Sequence, residues 1–279
     1  MLKVTGLTKK YGSTFAIRDV SFSAEAGEIV GLVGHNGCGK STTMNIITGY
    51  ITPTSGTVEI DGVDCQQNLR LAQSKIGYLP ETPALYPDLT VEEQLTFAAG
   101  LKRIKDPKSA ITSACEKADV LGVRRRLIAN LSKGYRQRVG LAQAFLGDPP
   151  IVILDEPSNG LDPRQIAEIR GIIRKESRKR TILISSHILQ EMELLCDRLV
   201  ILRSGTVCAS GTLQELIHRY SIPGAYKLSL GGVTDCEALR SAVENAGCRV
   251  TGFEEEVPSL ESVFLKLTGD TDNQKEARP

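Results

Sequence analysis

The length, composition and charge of the chain exclude several classes of protein. Its 279 residues, of which 41% are hydrophobic, are enough to bury a full core in one large domain or in one domain with an appendage. The net charge is +1 and the basic residues are spread along the chain, so the positive surface that grips nucleic-acid phosphates is missing. No nucleic-acid partner is therefore expected.

Membrane-spanning and disulfide-rich proteins are also disfavoured. No apolar run is long enough to span a membrane, and Met1 leads into a short amphipathic strand without the features of a signal sequence. The 7 cysteines are odd in number and form no CxxC pair, which argues against a disulfide framework and a zinc site. We expect a chain that neither spans a membrane nor is secreted, with reduced cytosolic thiols.

The predicted elements, in chain order, are those of an α/β protein. Alternating polar and apolar residues predict half-exposed strands of an antiparallel β flank at 2–7, 19–24 and 57–60. Continuous apolar runs predict buried strands of a mixed or parallel sheet at 28–34, 151–156 and 181–187. A helical subdomain is predicted as an insertion at about 84–150, and Thr90 forms a capping box with Glu93 where its first helix begins.

The pattern changes after residue 220, which we take as the end of the main domain, residues 1–220. Strand patterns at 225–230 and 248–256, each followed by a helix, predict a small C-terminal α+β domain of βαβα order at residues 221–268. Thr234 and Glu237 are predicted to cap its first helix, and Gly247 to end it. The polar residues 269–279 are expected to form a flexible tail.

The glycine-rich motif GHNGCGKST lies between the first buried strand and a helix. This is the context of a phosphate-binding loop (P-loop), where backbone N–H groups and a helix N-terminus face phosphate oxygens. Lys40 supplies a positive charge to the outer phosphates, and the Ser41 hydroxyl suits Mg²⁺. The predicted nucleotide-binding residues are Gly34, His35, Asn36, Gly37, Cys38, Gly39, Lys40, Ser41 and Thr42. Cys38, near a helix start, should have an activated thiolate if it is accessible.

Acidic and imidazole groups end the later buried strands. Asp155 and Glu156 are adjacent at a strand's carboxyl end and are expected to point to opposite faces. We predict that Asp155 binds Mg²⁺ and that Glu156 is the catalytic base. His187 should lie at the same edge of the sheet, although taken alone it is better explained as a hydrogen-bonded structural histidine.

A second segment, LSKGYRQRVGLAQAF at residues 131–145, also has the features of a phosphate grip. Ser132, the bare backbone of Gly134, Arg136 and Arg138 open an apolar helix. One chain therefore carries more phosphate-binding groups than one nucleotide needs.

The order of the motifs resembles the ATP-binding subunit of an ATP-binding cassette (ABC) transporter over residues 1 to about 220. The motifs are Tyr11, GHNGCGKST, GYLPE, LSKGYRQR, IVILDEPSNGLD and SSH. The resemblance implies hydrolysis of ATP, with Mg²⁺, by a head-to-tail dimer of cassettes, either identical or different. Ser132 and Gly134 of one cassette would close on the γ-phosphate held by the P-loop of the other, which accounts for the surplus grip.

The resemblance also implies roles for single residues. Tyr11 would stack on adenine, and His187 would contact the γ-phosphate and act with Glu156 and Lys40 in catalysis. Glu81 would join Ser41 and Asp155 at the metal and its water. Asp162 would lie across the dimer seam, although before Pro163 it is equally a good helix cap.

The chain departs from the usual family pattern at two positions. Lys133 stands where glycine is commoner, and Glu81 stands where glutamine is usual, so its carboxylate can accept from a metal-bound water but cannot donate. Both departures and the small C-terminal domain resemble cassettes of ABC-2 type exporters, including drug, sodium and gliding-motility systems. Such cassettes are cytoplasmic, lie peripherally on the inner face of the cell membrane, and work with integral membrane permease subunits.

Other interpretations stay open at this stage. A soluble ABC-type ATPase not coupled to transport would typically carry two cassettes, a coiled-coil insertion or zinc-binding cysteines, which the sequence lacks. A monomeric P-loop kinase or GTPase would not need the segment at 131–145. A regulatory nucleotide-binding subunit, paired with a different cassette, is suggested by Lys133 and Glu81.

Overall fold

The main part of the chain is built from two β-sheets and the helices between their strands. The computed structural model describes residues 1–220, 235–247 and 249–250. The strands are β1 (Leu2–Tyr11), β2 (Thr14–Ala24), β3 (Ile29–Val33), β4 (Ser55–Ile60), β5 (Val63–Asp64), β6 (Ile76–Leu79), β7 (Ile151–Asp155), β8 (Thr181–Ser186), β9 (Arg198–Arg203) and β10 (Thr206–Gly211). The α-helices are α1 (Lys40–Ile47), α2 (Leu69–Ser74), α3 (Val91–Leu101), α4 (Pro107–Lys117), α5 (Lys133–Phe145), α6 (Pro163–Ser177), α7 (Leu189–Leu195), α8 (Leu213–Tyr220) and α9 (Cys236–Asn245).

The first sheet is the predicted antiparallel flank, with strand order β2-β1-β4-β5. Leu2 of β1 pairs with Ala24 on one side and with Ile60 on the other. β1 and β2 are longer than predicted, because they continue as a hairpin in which Tyr11 pairs with Thr14. The paired ends are exposed, so the apolar alternation that marks the rest of each strand stops before the pairing does.

The second sheet has the order β10-β9-β3-β8-β7-β6. Its strands are parallel from β9 to β6, and β10 pairs antiparallel with β9. This confirms the α/β fold with a mixed, mainly parallel sheet, and it confirms the three predicted buried strands to within a residue at each end. Since β3, β7 and β8 are parallel, their carboxyl ends lie at one edge of the sheet.

The apolar core lies on both faces of this second sheet. Ile29 and Val33 of β3 belong to a cluster that contains the apolar residues of α3, α5 and α6. Val30 and Leu32, which alternate with them, belong to a cluster with β1, β2, β4 and α1. Both faces of β3 are covered, which is why its sequence is apolar throughout.

The predicted helical insertion is present as α3, α4 and α5, between β6 and β7. The capping box at the start of α3 is confirmed. Thr90 Oγ1 accepts a hydrogen bond from the Glu93 N–H at 3.2 Å, and Glu93 Oε2 accepts one from the Thr90 N–H at 2.8 Å. These bonds satisfy N–H groups that have no partner within the first turn of a helix.

The chain divides into two units, Met1–Tyr220 and Ser221–Pro279. In the second unit, Asp235 caps α9 by accepting hydrogen bonds from the N–H groups of Glu237 and Ala238. The prediction of Thr234 as the cap is therefore wrong by one residue. Gly247 follows α9 with a φ of 83°, as expected of a glycine that ends a helix. Apart from Arg249 and Val250, the other predicted elements of residues 221–279 lie outside the described residues.

A buried ion network joins the end of α6 to the loop before β7. The Arg180 side chain is 1% exposed, and its Nη2 lies 2.6 Å from Glu176 Oε2, which belongs to a side chain 2% exposed. The same nitrogen lies 2.6 Å from Asp148 Oδ1, and Lys117 of α4 also reaches that oxygen at 2.8 Å. Hydrogen bonds from Lys117 and Arg180 lower the pKa of Asp148 from its usual value, against the effect of burial.

We predict that Arg180→Met destabilises the protein by about 3–5 kcal/mol in urea unfolding, because Glu176 is left as a buried, unpaired charge. A second change, Glu176→Gln, made in the same chain should recover part of this loss. The control is Arg174→Met, which breaks a pair with Asp197 whose two side chains are each 46% exposed and should cost at most about 1 kcal/mol. Equal losses of unfolding free energy for Arg180→Met and Arg174→Met would contradict the greater importance of the buried pair.

Candidate active site

The P-loop motif lies where β3 ends and α1 begins, which is the context predicted from the sequence. Gly39, the last residue before α1, has a φ of 105°, in the left-handed region that side-chain-bearing residues rarely adopt. A Cβ at Gly39 would lie 2.9 Å from the Ala16 carbonyl oxygen and would clash with the Ile17 side chain. Only glycine fits there, and the N-terminus of α1 then follows the loop directly, with its free N–H groups and partial positive charge.

Lys40 is buried within this loop, with 6% of the residue exposed. Its Nζ donates a hydrogen bond to the Gly34 carbonyl oxygen at 2.8 Å and lies 3.5 Å from Glu156 Oε1. A buried ammonium group requires partners of this kind, because its desolvation is otherwise costly. The Lys40 charge therefore lies between the P-loop and the end of β7.

Asp155 and Glu156 diverge at the end of β7. Asp155 is the last residue of the strand, is 4% exposed, and accepts a hydrogen bond from Ser185 Oγ. Burial raises the pKa of Asp155 above its usual value, and the nearby hydroxyls of Ser185 and Ser41 oppose the rise. Glu156 has a φ of 47°, so the strand alternation assumed from the sequence does not extend to it. The two carboxylates contact different groups because the backbone turns at Glu156.

His187 follows β8 and lies beside Glu156. Its Nδ1 is 2.8 Å from Glu156 Oε2, and 41% of its side chain is exposed. The parallel pairing of β7 with β8 places both residues at one sheet edge, as predicted. Glu156 thus has an ammonium group near one carboxylate oxygen and an imidazole near the other.

Ser185 is a site residue that the sequence analysis did not select. Its Oγ donates to Asp155 Oδ1 at 2.5 Å and accepts from the Glu156 N–H at 2.9 Å. Ser185 lies two residues before His187, and strand alternation places residues two apart on the same face of the sheet. Its partners depend on how β8 pairs with β7, which the sequence of one strand does not contain.

An open cleft with a volume of about 370 Å³ lies at this sheet edge, within the size range of about 300–1,000 Å³ that small-molecule sites have. Its lining consists of Ala16, Asn36, Gly37, Gly39, Lys40, Ser41, Thr42, Glu81, Glu156, Asn159 and His187. The cleft thus brings together most of the predicted P-loop residues and all three predicted catalytic residues, Lys40, Glu156 and His187. Within the described part of the chain, Tyr11, Gly34, His35, Cys38, Ser132, Gly134 and Asp155 are not in this lining.

Glu81 enters the cleft from the segment after β6. Its Oε1 accepts a hydrogen bond from Asn159 Nδ2 at 2.8 Å, and both residues are exposed. Asn159 belongs to the loop between β7 and α6 and, like Ala16, is a lining residue that the sequence analysis did not select. Glu81 therefore joins two loops at the cleft wall.

The segment at residues 131–145 starts α5. Ser132 caps this helix by accepting a hydrogen bond from the Tyr135 N–H at 3.4 Å. Gly134 is buried, and a Cβ there would lie 2.7 Å from Cδ of Gln165, so a larger residue would displace that side chain. Arg138 is not available to a phosphate, contrary to the prediction, because it pairs with Asp119 and with Glu168.

Tyr11 and Asp162 lie at the ends of other elements. Tyr11 ends β1 with 54% of the residue exposed, and Lys9 Nζ lies 5.2 Å from its ring centroid. Asp162 caps α6 by accepting a hydrogen bond from the Gln165 N–H at 2.9 Å, which confirms the interpretation of this residue as a helix cap. In both cases the contact joins residues that are two or three positions apart in the sequence.

Comparison with known proteins identifies the family. Residues 17–159 match the family model described as ABC transporter. The chain is 35% identical over 294 residues to the Nod factor export ATP-binding protein I of Rhizobium meliloti, covering 96% of this chain and 88% of the relative. The chain belongs to the ABC transporter family. It is an ATP-binding protein and an ATP hydrolase of that family.

Solved ABC structures share the fold. The structure of an ATP-binding subunit of an ABC transporter superposes with a TM-score of 0.73 at 35% identity, covering 81% of this chain and 95% of that chain. A dimeric cassette in a post-hydrolysis state, bound to ADP and phosphate, has a TM-score of 0.69 at 26% identity, covering 76% of this chain and 99% of that chain. In the described residues of the present ABC cassette, no helix is both long and apolar enough to cross a membrane.

Cys38 in the P-loop of this ABC cassette is buried, with 6% of the residue exposed. Its sulfur lies against Gly34, so a Cβ at that glycine would be 2.5 Å from Cys38 Sγ. The condition attached to its predicted reactivity, access to reagents, is therefore not met. Cys208 and Cys236, in contrast, are exposed.

We predict that a short treatment of the folded cassette with an alkylating reagent modifies Cys208 and Cys236 and spares Cys38. Peptide mass spectrometry after alkylation would measure the extent at each cysteine, and alkylation in urea would show that Cys38 reacts once the P-loop unfolds. Modification of Cys38 in the folded protein as fast as that of Cys208 would contradict the burial of its thiol.

Proposed function

We propose that this ABC cassette is the ATPase subunit of an ABC-2 type exporter, acting as one of a pair of cassettes attached to membrane permease subunits. The observation that carries the catalytic part of this proposal is the setting of Glu156. It lies 3.5 Å from the ammonium group of the P-loop Lys40 and 2.8 Å from His187, at the wall of an open cleft. A carboxylate held between a phosphate-binding cation and an imidazole is suited to act as a base beside a bound triphosphate.

The P-loop supplies the binding energy for the triphosphate of ATP. Asn36, Gly37 and Gly39 line the cleft directly before the start of α1, where backbone N–H groups are free to face phosphate oxygens. Lys40 neutralises part of the negative charge on the outer phosphates. Negative charge builds up on the leaving β-phosphate oxygens as the γ-phosphoryl group is transferred, so this neutralisation also favours the reaction. The exposed ring of Tyr11 is the aromatic face proposed to stack on adenine.

The donor set beside the P-loop fits Mg²⁺. The Ser41 hydroxyl lies beside the Asp155 carboxylate and lines the same cleft as Glu81, so this region offers hydroxyl and carboxylate oxygens. Such hard oxygen donors, together with phosphate oxygens, are the ligands that Mg²⁺ prefers. When bound, the ion would neutralise charge on the β- and γ-phosphates. The residues proposed to hold it are Ser41 and Asp155, with Glu81 accepting from its bound water.

Glu156 is proposed to orient and deprotonate the attacking water. Its carboxylate has a contact on each oxygen, Lys40 near Oε1 and His187 near Oε2, so its position relative to the γ-phosphate is restrained. His187 is partly exposed and is proposed to contact the γ-phosphate directly. Release of inorganic phosphate after hydrolysis would then remove the group that both residues contact.

Pairing of two cassettes accounts for the segment at the start of α5. Ser132 and Gly134 are absent from the lining of the cleft in their own chain, yet they combine a hydroxyl, a close-packed backbone and a helix N-terminus. We infer that they face the ATP of a second cassette, identical or different. The resemblance to a dimeric cassette at 26% identity supports this arrangement.

Export and membrane attachment are proposed from the relatives and from one surface of the helical subdomain. The Nod factor relative is described as an export ATP-binding protein. Near Glu81, Tyr86 and Phe97 form an exposed aromatic pair, with ring centroids 5.6 Å apart, and exposed aromatic rings are common in protein interfaces. We propose that a cytoplasmic part of the permease docks there. On this proposal, the cassette lies peripherally on the inner face of the membrane.

The proposed organisation of the chain follows from this function. Residues 1–220 are the ATPase cassette, residues 221–268 a small C-terminal domain, and residues 269–279 a tail. The division of the chain between Tyr220 and Ser221 supports the first of these boundaries.

We predict that Glu156→Gln lowers ATP turnover by about 10²- to 10⁴-fold, because the base is lost while the P-loop is unchanged. The same variant should accumulate an ATP-bound dimer, visible by size-exclusion chromatography with Mg²⁺ and ATP. The control is Glu193→Gln, the same chemical change at an exposed position on α7, which should leave turnover unaltered.

Full turnover by Glu156→Gln would remove Glu156 from the role of base. A wild-type rate per molecule that is independent of protein concentration would argue for a monomeric P-loop enzyme. Activity that appears only after mixing with another cassette would indicate the regulatory subunit considered above.

Tagged cassette purified from gently solubilised membranes of its own cell should carry a multi-span membrane protein, identified by mass spectrometry. The reason is that the cassette has no described span of its own and must act on its cargo through a permease. Recovery of soluble partners alone, with the cassette missing from membranes, would instead favour the soluble ABC-type ATPase.

A further inference from the structure

The buried hydroxyl of Ser185 contacts both carboxylate residues at the end of β7. Ser185 is 0% exposed and is the register partner of Asp155 across the β7–β8 pair. Its Oγ donates to Asp155 Oδ1 at 2.5 Å and accepts from the Glu156 N–H at 2.9 Å. One side chain thus touches the proposed metal ligand and the backbone of the proposed base.

The direction of one hydrogen bond of Ser185 determines the direction of the other. A serine hydroxyl has one proton to donate and lone pairs to accept with, so donation to Asp155 leaves its oxygen to accept from Glu156. Both bonds join buried residues, and a buried N–H or carboxylate oxygen without a partner is costly. The arrangement therefore restrains the Asp155 side chain and the Glu156 backbone together.

Glu156 needs such a restraint because its backbone is in an unfavourable conformation. A φ of 47° is in the left-handed region, which residues with a side chain rarely adopt without compensating contacts. The Ser185 hydroxyl accepts a hydrogen bond from the Glu156 N–H at the point where β7 ends. This turn directs the Glu156 side chain toward Lys40 and His187.

We propose that Ser185 is a positioning residue for ATP hydrolysis: its hydroxyl holds Asp155 in the orientation for the metal and Glu156 in the orientation for the water. This inference rests on the roles proposed above for these two residues. Hydrogen-bond partners of metal-binding carboxylates typically change metal affinity or activity by about 10- to 100-fold when they are removed.

The test compares Ser185→Ala with Thr181→Val. Thr181 lies at the other end of β8, is 1% exposed, and donates from Oγ1 to the Glu25 carbonyl oxygen at 2.7 Å. Both variants therefore lose one buried hydroxyl from the same strand. Thermal melting of each variant, measured without nucleotide, shows how much stability that loss removes.

Three measurements on each full-length variant separate positioning from stability. For Ser185→Ala, we expect Mn²⁺ affinity in the presence of ADP, followed by electron paramagnetic resonance, to fall by about 10- to 100-fold. The turnover number for ATP should fall by a similar factor, while binding of fluorescent ATP in EDTA stays within about twofold of wild type, because the P-loop makes that contact. Thr181→Val should match wild type in all three.

The inference is overturned if Ser185→Ala retains the Mn²⁺ affinity and turnover of Thr181→Val, or if both variants lose them equally. Other outcomes would contradict the proposed function without deciding the inference on Ser185. The proposed function is wrong if the wild type does not hydrolyse ATP or if Glu156→Gln is fully active, and in either case the Mn²⁺ measurement still tests the role of Ser185.

Discussion

The parallel pairing of β3, β7 and β8 is the constraint on which the site depends. β8 lies between the other two strands, and Ser185 is opposite both Leu32 and Asp155. Because parallel strands end at a common edge, this pairing brings the P-loop, Glu156 and His187 together although they are far apart in the sequence. A shift of one residue between β7 and β8 would turn buried apolar side chains to the wrong face and would separate Asp155 from Ser185. The same apolar packing that stabilises the sheet therefore sets the geometry of the active site.

This frame holds charged groups where an apolar residue would be more stable. Lys40, Asp155 and Glu156 are 6%, 4% and 8% exposed, respectively, and burial raises the pKa of Asp155. Hydrogen bonds offset part of the cost of their desolvation. Lys40 donates to the Gly34 carbonyl oxygen, and Asp155 and the Glu156 N–H both bond to the Ser185 hydroxyl. Burying such a cluster costs stability, and the chemistry proposed for these residues gives a reason for that cost.

Local hydrogen bonds and buried strands were predictable from the sequence, whereas contacts between distant segments were not. The Thr90 capping box depends on residues three apart, and the three buried strands are uniformly apolar, so both were found. β6, β9 and β10 were not predicted as strands, although they pair in the same sheet as the buried strands. The role expected for Arg138 was wrong because its partners, Asp119 and Glu168, come from other elements. For the same reason the contacts of Ser185 required the register of β7 against β8.

The two departures from the usual ABC pattern meet at one loop, the segment between β7 and α6. Glu81 accepts a hydrogen bond from Asn159 in that loop, and the end of the Lys133 side chain lies against Gly160 of the same loop. Gly160 has a φ of 68°, in the left-handed region that favours glycine. The loop is further bonded to α7 through Ser158 and Glu191. Lys133 and Glu81 thus contact the same segment, the loop that links the proposed base at the end of β7 to α6.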